Sequence, residues 1–319
     1  MSASAYSPPC WVDARTPLGG LIEAMLAVEP LRQLLFLLAR RMMIRTAEQR
    51  GIPWRQRREE LRQAAEPLLE ACTNPATVIP AYYRARFHAY PQGNLCWDAA
   101  CETEQASASV ALRTWKTEVL SPEQAQKRLR DAIYAAIEPS LSGPVSDALD
   151  IGCSVGVGTL ALRDWLAARD GPEVQVSGLD LSPQMLAVAR VRDTSELIHQ
   201  WHHACAEATG LPTASFDLIT GQLLCHELPA EATRSVLAEA FRLLRPGGVL
   251  AVVDQDPEAK AIRDMTPPLA TLLKSTEPYL EDYFRLDLPA ALKDAGFTAI
   301  RRVASDHRHR VLVGTRPHP

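Results

Sequence analysis

The residues best suited to binding a small charged ligand lie in the segment Ala148-Leu-Asp-Ile-Gly-Cys-Ser-Val-Gly-Val-Gly158. An apolar run over residues 145–151 enters this glycine-rich turn, and a helical pattern over residues 159–168 follows at once. Glycine permits a sharp turn and lets a ligand approach the backbone without a Cβ in the way. The pattern predicts a strand, a tight turn and a helix N-terminus that suit a nucleotide-like ligand, a weak signal by itself because many such turns contain glycines.

A carboxylate ends the next strand pattern, which covers residues 174–180. An acid at this position can accept two hydrogen bonds from a ribose diol. The separation between Gly152 and Asp180 exceeds the roughly 20 residues usual for this role, and helix and loop residues 163–172 can absorb the extra length. We therefore predict that Asp180 binds a ribose.

Groups suited to proton transfer follow two later strand patterns. His226 comes shortly after the strand pattern of residues 216–221, and Asp254 ends the following strand. Open α/β sheets bind ligands at the carboxyl ends of their strands, and an ordinary histidine pKa near 6.5 suits a general base for an oxygen or nitrogen nucleophile. The alternatives are a packing role for His226 and a structural role for Asp254 at the turn.

The elements that position these groups divide the chain into two regions. Before residue 145, apolar residues recur near a period of 3.6, which is typical of helices. A capping-box start at Ser121 predicts a further helix that runs to about residue 137. We predict a helical substrate or lid region over residues 1–140 and an α/β domain over residues 141–319. The first four predicted helices cover residues 18–28, 31–49, 55–71 and 94–114.

Six motifs occur in order over residues 145–316. They are Asp150-x-Gly152-x-x-x-Gly156, Leu179-Asp180-x-Ser182, Ala206-Glu207 with Leu211-Pro212, Phe216-Asp217, Leu244-x-Pro246-Gly247-Gly248 and Ala295-Gly-Phe297. This ordered set resembles the motifs of the class I S-adenosylmethionine (SAM)-dependent methyltransferases. The resemblance implies a Rossmann-like α/β fold with a seven-stranded, mostly parallel sheet, helices on both faces and an antiparallel final hairpin. It also implies SAM as the cofactor.

The same resemblance implies where the cofactor lies. The glycine turn is expected at the methionine end of SAM, Asp180 at the ribose, and Cys205 to Glu207 at the adenine edge. Two positions depart from the family pattern, because Ser154 replaces a frequent glycine and Cys205 replaces an Asp or Asn. A thiol is a poor acceptor, which leaves backbone groups and apolar stacking to hold adenine. The predicted cofactor-binding residues are Asp150, Gly152, Ser154, Gly156, Asp180, Leu181, Cys205, Ala206, Glu207 and Gln222.

The resemblance implies in-line methyl transfer from SAM to a small molecule. Alignment supplies much of the catalysis in such a reaction, because the sulfonium is already an activated donor. An enzyme of the same fold could instead transfer or cyclise the aminocarboxypropyl arm and release methylthioadenosine. A non-enzymatic SAM- or nucleotide-binding module is a third reading, and the sequence does not separate the first two because both need the same cofactor site.

Residues 82–97 concentrate aromatic side chains in a chain that is only 6% aromatic. One interpretation is a core patch where the helical region meets the α/β domain. The other is a lid over the sulfonium, because aromatic faces attract cations and Pro91-Gln-Gly93 would interrupt a helix there. For the lid we predict that Tyr83, His88 and Tyr90 contact the reacting groups. Together with His226, these three are the predicted catalytic residues.

Composition favours a cytoplasmic enzyme. The net charge of −4 and a pI of about 6.1 give no broad basic field for nucleic acid or anionic lipid.

Seven cysteines are dispersed without a C-x-x-C pair, and His199, His202 and His203 lack a further ligand, so we predict no metal site. We predict no signal peptide in residues 1–9 and no membrane span, since residues 31–44 form the longest apolar stretch and carry charges. The oligomeric state is left open.

Overall fold

The computed structural model describes residues 6–13, 17–88, 90–115 and 117–319. Segment 1–9, in which we predict no signal peptide, therefore lies partly outside the described residues. No helix within the described ranges combines the length and the apolar character that crossing a bilayer requires.

A seven-stranded sheet forms the centre of the described molecule, in the order β3-β2-β1-β4-β5-β7-β6. Neighbours among the first five strands pair in parallel, whereas β7 runs antiparallel to both β5 and β6. This arrangement confirms the predicted fold, including its final hairpin. The strands are β1 (Asp147–Ile151), β2 (Gln175–Asp180), β3 (Gln200–His203), β4 (Phe216–Gln222), β5 (Leu244–Gln255), β6 (Thr298–Ala304) and β7 (His309–Thr315).

Five α-helices of the described residues precede the sheet and seven lie between or after its strands. The first five are α1 (Pro17–Ala27), α2 (Glu29–Gln49), α3 (Trp54–Ala65), α4 (Trp97–Thr114) and α5 (Pro122–Ile137). The other seven are α6 (Val157–Asp170), α7 (Pro183–Arg192), α8 (Ala230–Leu243), α9 (Lys260–Arg263), α10 (Pro267–Thr276), α11 (Leu280–Arg285) and α12 (Leu288–Asp294).

Helices cover both faces of the sheet, which explains why its central strands are apolar almost throughout. Successive side chains of a strand point to opposite faces. Ala148 of β1 accordingly belongs to the core shared with Leu129 of α5 and Leu162 of α6. Leu149 belongs to the core shared with Leu237 of α8. The carboxyl ends of β1, β2, β4 and β5 are thereby held at one edge, where the site is built.

The N-terminal helices follow the sequence prediction with one correction. Residues 55–71 do not form one helix, because α3 ends at Ala65 and short 3-10 turns follow. Pro67 lacks the backbone N–H that a continuing helix needs and its ring clashes with the preceding turn. The capping box at Ser121 is present as predicted. Helices α3 and α4 pack on α7 of the α/β region, and the boundary at residues 140/141 stays a prediction.

Candidate functional site

The glycine turn after β1 has a backbone that few other residues adopt. Gly152 and Gly156 have φ of +68° and +73°, and Ser154 between them has φ of +51°. A Cβ on Gly156 would lie 2.6 Å from the Trp201 ring, and one on Gly152 would lie 2.9 Å from Leu224. Conformation and close packing therefore both require glycine at these two positions.

Asp180 closes this turn from the end of β2. Its carboxylate accepts hydrogen bonds from the backbone N–H groups of Ser154 and Ser182, each at 2.8 Å. Burial raises the pKa of Asp180 to about 6 despite these bonds. Leu181, which follows, is buried, and its carbonyl accepts from His203 Nε2 at 3.0 Å. The predicted ribose ligand thus lies at the glycine turn, and its contact with ribose stays a prediction.

Asp150 connects the turn to its neighbours. Its two carboxylate oxygens accept from the hydroxyls of Thr159 on α6, at 2.7 Å, and Thr220 on β4, at 2.6 Å. Burial raises the pKa of Asp150. Two hydroxyl donors satisfy much of this buried carboxylate, so Asp150 fixes the start of α6 against β4 whether or not it also meets the cofactor.

A guanidinium reaches this end of the site from α5. Arg130 donates to Gln222 Oε1 at the end of β4. Gln222 Nε2 and Arg130 Nε are both buried and have no hydrogen-bond partner among the described residues. Sequence analysis did not identify Arg130, because one arginine on an amphipathic helix is ordinary. Together these groups offer unpaired donors beside the turn.

The predicted adenine edge is tied to the aromatic segment. Cys205 donates its thiol to Glu207 Oε2 at 2.7 Å, and Tyr82 donates its hydroxyl to the same oxygen at 2.8 Å. Ala206 is half-buried against the apolar core. The thiol therefore acts as a donor here, in line with its weakness as an acceptor.

A buried histidine–carboxylate pair stands at the ends of β4 and β5. His226 Nδ1 lies 2.7 Å from Asp254 Oδ1, and the His226 backbone N–H donates to Asp254 Oδ2 at 3.1 Å. Burial alone would lower the pKa of His226, but Asp254, with Glu277 and Glu227, outweighs it and raises that pKa to about 10. The same imidazolium holds the pKa of Asp254 below its usual range.

Further polar groups surround this pair. Asn94 donates to Glu227 Oε2 at 2.7 Å, and His88 Nε2 lies 3.5 Å from Glu227 Oε1. Burial raises the pKa of Glu227 to about 7. A carboxyl group that titrates near neutrality at the ligand-binding edge of a sheet is suited to proton transfer.

The aromatic segment is a loop, as Pro91-Gln-Gly93 predicts, and Ala89 within it lies outside the described residues. Tyr83 is buried, and its desolvation, with the charges of Asp180 and Glu227 nearby, raises its pKa well above the ordinary value. Tyr90 instead donates its hydroxyl to Glu102 of α4 at 2.7 Å. Segment 82–97 thus brings Tyr83 near Asp180 and Glu227 and brings His88 to Glu227 beside the pair. The hydroxyl of Tyr90 is instead bound to the helical region.

Comparison with known proteins shows what the central part of the chain is similar to. Residues 148–248 match the protein family described as a methyltransferase domain. This part of the chain, which includes β1 and the glycine turn, is therefore similar to methyltransferase domains. Enzymes of this family use SAM as their cofactor, which gives the glycine turn and Asp180 their expected ligand.

The curated relatives cover only part of the chain. It is 29% identical over 160 residues to an uncharacterized methyltransferase of Synechocystis, which covers 50% of this chain and 70% of the relative. The chain is 41% identical over 134 residues to trans-aconitate 2-methyltransferase of Methylobacterium radiotolerans. This match covers 38% of the chain and 47% of the relative. The chain spans about half the length of this last relative and of three others, covering 44–47% of each.

A solved structure is also similar to the chain. Human N-acetylserotonin methyltransferase in complex with SAM is 16% identical, covers 80% of this chain and 67% of its own, and superposes with a TM-score of 0.46.

Proposed function

We propose that this protein is a SAM-dependent methyltransferase that acts on a small molecule by in-line methyl transfer. The observation that carries the proposal is the buried His226–Asp254 pair beside the glycine turn. Leu224, two residues before His226, packs at 2.9 Å from the Cβ position of Gly152. A substrate held by His226 would therefore lie next to the methionine end of the cofactor site.

The cofactor site can be assigned residue by residue. Asp180 would accept from the ribose hydroxyls, and Arg130 with Gln222 would donate to the methionine carboxylate. Both donors have a buried N–H without a partner among the described residues, and such groups favour a ligand that satisfies them. When bound, SAM supplies a methyl group already activated on sulfur.

His226 is suited to holding the nucleophile. Because the pKa of His226 is raised to about 10, its protonated form dominates at neutral pH. We therefore propose a donor role in place of the general base expected from the sequence: Nε2–H stabilises the oxygen of the substrate as negative charge develops. Glu227, whose pKa is about 7, then takes up the proton of the substrate hydroxyl.

Mass spectrometry of the nucleoside product tests the reaction class. The protein is incubated with SAM and a panel of hydroxylated small molecules. S-adenosylhomocysteine together with a product heavier by one methylene supports the proposal. Methylthioadenosine would instead indicate attack on the aminocarboxypropyl arm, and the absence of both across the panel would contradict an enzyme of either kind.

Matched variants test the role of the pair. Asp254→Asn and His226→Gln should each lower kcat at least about 100-fold, as loss of a positioned proton-transfer group does. His199→Gln, at an exposed histidine, is the control and should retain full activity. Unchanged kcat in both pair variants would exclude His226 from the reaction.

A further inference from the structure

Three side chains from distant parts of the sequence converge beside the proposed nucleophile site. They are His88 of segment 82–97, His226 after β4 and Glu277 after α10. One ring nitrogen of each histidine and one carboxylate oxygen all lie within 4.8 Å of one another. Neither the glycine turn nor the proposed ribose contact uses His88 or Glu277.

Two imidazole nitrogens and one carboxylate oxygen form a donor set typical of divalent transition metals. Bonds of about 2.0–2.2 Å to a common ion would bring such ligand atoms roughly 3.0–3.5 Å apart. The three ligand atoms now lie within 4.8 Å of one another. Displacements of these atoms by about 1 Å, through small side-chain rotations, would bring all three within bonding distance of one ion.

Glu277 lacks the partners that a buried carboxylate normally has. Glu277 is only 9% exposed, and its Oε2 is buried with no hydrogen-bond partner among the described residues. Burying an unpaired carboxylate is unfavourable, and coordination to a cation is one of the few arrangements that compensates for it. The unpaired oxygen of Glu277 is therefore available to coordinate a cation.

His226 is oriented as metal-binding histidines are. Its Nδ1 is committed to Asp254 at 2.7 Å, which leaves Nε2 for an ion. A carboxylate on the second ring nitrogen fixes the orientation of such a ligand and increases its basicity. An ion on Nε2 would displace its proton, so in the metal-bound protein the ion, in place of the Nε2–H proposed above, would stabilise the substrate oxygen.

His88 is anchored to the residue that precedes Glu277. Its backbone N–H donates to the carbonyl of Thr276 at 2.9 Å. Its φ of +49° lies in the left-handed region, an uncommon conformation for a non-glycine residue that is retained where the surrounding structure imposes it. The backbone thereby holds His88 and Glu277 side by side, while the His88 side chain stays 41% exposed and accessible to an ion.

We propose that His88, His226 and Glu277 bind a divalent transition-metal ion. Three protein ligands leave positions open for a substrate that chelates through two oxygens, such as adjacent hydroxyl and carbonyl groups. The ion would lower the pKa of a coordinated hydroxyl and hold its oxygen for methyl transfer. This catalytic consequence rests on the proposed function, whereas ion binding itself does not.

Metal titration of the full chain tests the site without turnover. Chelator-treated protein is titrated with Co²⁺ and with Zn²⁺ alone and followed by calorimetry and, for Co²⁺, by visible absorption. We expect one ion per chain and, for Co²⁺, a visible d–d absorption band that reports its coordination geometry. Glu277→Gln and His88→Gln should each weaken binding by at least about 100-fold, and Asp254→Asn by about 10–100-fold.

Glu231→Gln and His199→Gln are the matched controls at exposed positions, and both should bind as wild type does. Circular dichroism confirms that each variant is folded, and His88→Gln is the more secure variant because its side chain is partly exposed. Absence of stoichiometric binding, or binding unchanged in both Glu277→Gln and His88→Gln, would overturn the proposal. Stoichiometric binding without methyl transfer would uphold the ion site and contradict only the proposed function.

Discussion

Asp180 combines two roles at the level of a single residue. It accepts backbone N–H groups on both sides of the turn, and it is proposed to accept the ribose hydroxyls. A carboxylate oxygen has lone pairs enough for both. Its contribution to cofactor affinity can therefore be separated from its contribution to the turn only by comparing two substitutions.

We expect Asp180→Ala to weaken SAM binding by at least about tenfold, because each lost charge-assisted hydrogen bond contributes roughly 1.5–3 kcal/mol. Asp180→Asn keeps one acceptor oxygen and should lose less affinity. Calorimetric titration with SAM measures both, with Asp164→Asn on an exposed acid as the control. Equal affinity in all four proteins would remove Asp180 from the ribose site.

Some residues of the candidate site could be predicted from the sequence, and others could not. The glycine turn, Asp180 and His226 were predictable because each follows a strand whose end must lie at the ligand-binding edge. Glu277 was not, since it comes between two short helices that no strand pattern positions. Its meeting with His88 depends on how the loop of residues 82–97 docks on the end of α10, a contact that local patterns do not encode.

At the level of elements, local signals gave reliable helix starts. Ser121 and Ser182 cap α5 and α7 through their own side chains, so the information lies within four residues of sequence. Helix ends and loops depended on wider context, as the early end of α3 before Pro67 shows. The aromatic segment stayed ambiguous for the same reason, because packing and closure over a ligand use the same residue types.

The structure gives this segment contacts that suit a lid over the cofactor. Tyr82 donates to Glu207 at the predicted adenine edge, and Tyr279 donates to the Tyr82 carbonyl at 3.0 Å. A loop that depends on a few hydrogen bonds opens more readily than a helix packed in the core. Opening and closing would admit the cofactor and then exclude water from the reacting groups.

We expect amide hydrogen exchange in residues 82–97 to slow when SAM or S-adenosylhomocysteine is added, because bound cofactor favours the closed loop. Exchange in α12, whose Leu288 and Leu292 are buried in the core and which supplies no proposed cofactor contact, should not change and is the internal control. Tyr82→Phe should raise exchange in the free protein by removing one tie of the loop. Identical exchange with and without ligand would support the core-patch interpretation instead.

At the scale of the whole molecule, Glu104 joins the helical region to the α/β region. From α4, it pairs with Arg57 of α3 at 2.9 Å and with Arg192 of α7 at 3.1 Å. Burial would raise the pKa of Glu104, but the two guanidinium groups outweigh it and hold that pKa below its ordinary 4.5. The charged form is therefore favoured by the folded state.

This shift fixes how the contribution depends on pH. A carboxyl group whose pKa is depressed by folding stabilises the protein fully above its unfolded pKa and loses that effect as pH falls through the folded pKa.

We expect Glu104→Gln to lower the free energy of unfolding by about 1 kcal/mol at neutral pH. The difference from wild type should shrink as pH falls below 4.5. Denaturant unfolding at several pH values measures it, with the exposed Glu66→Gln as control. A difference that stayed constant with pH would mean that packing, and not the charge of Glu104, joins the two regions.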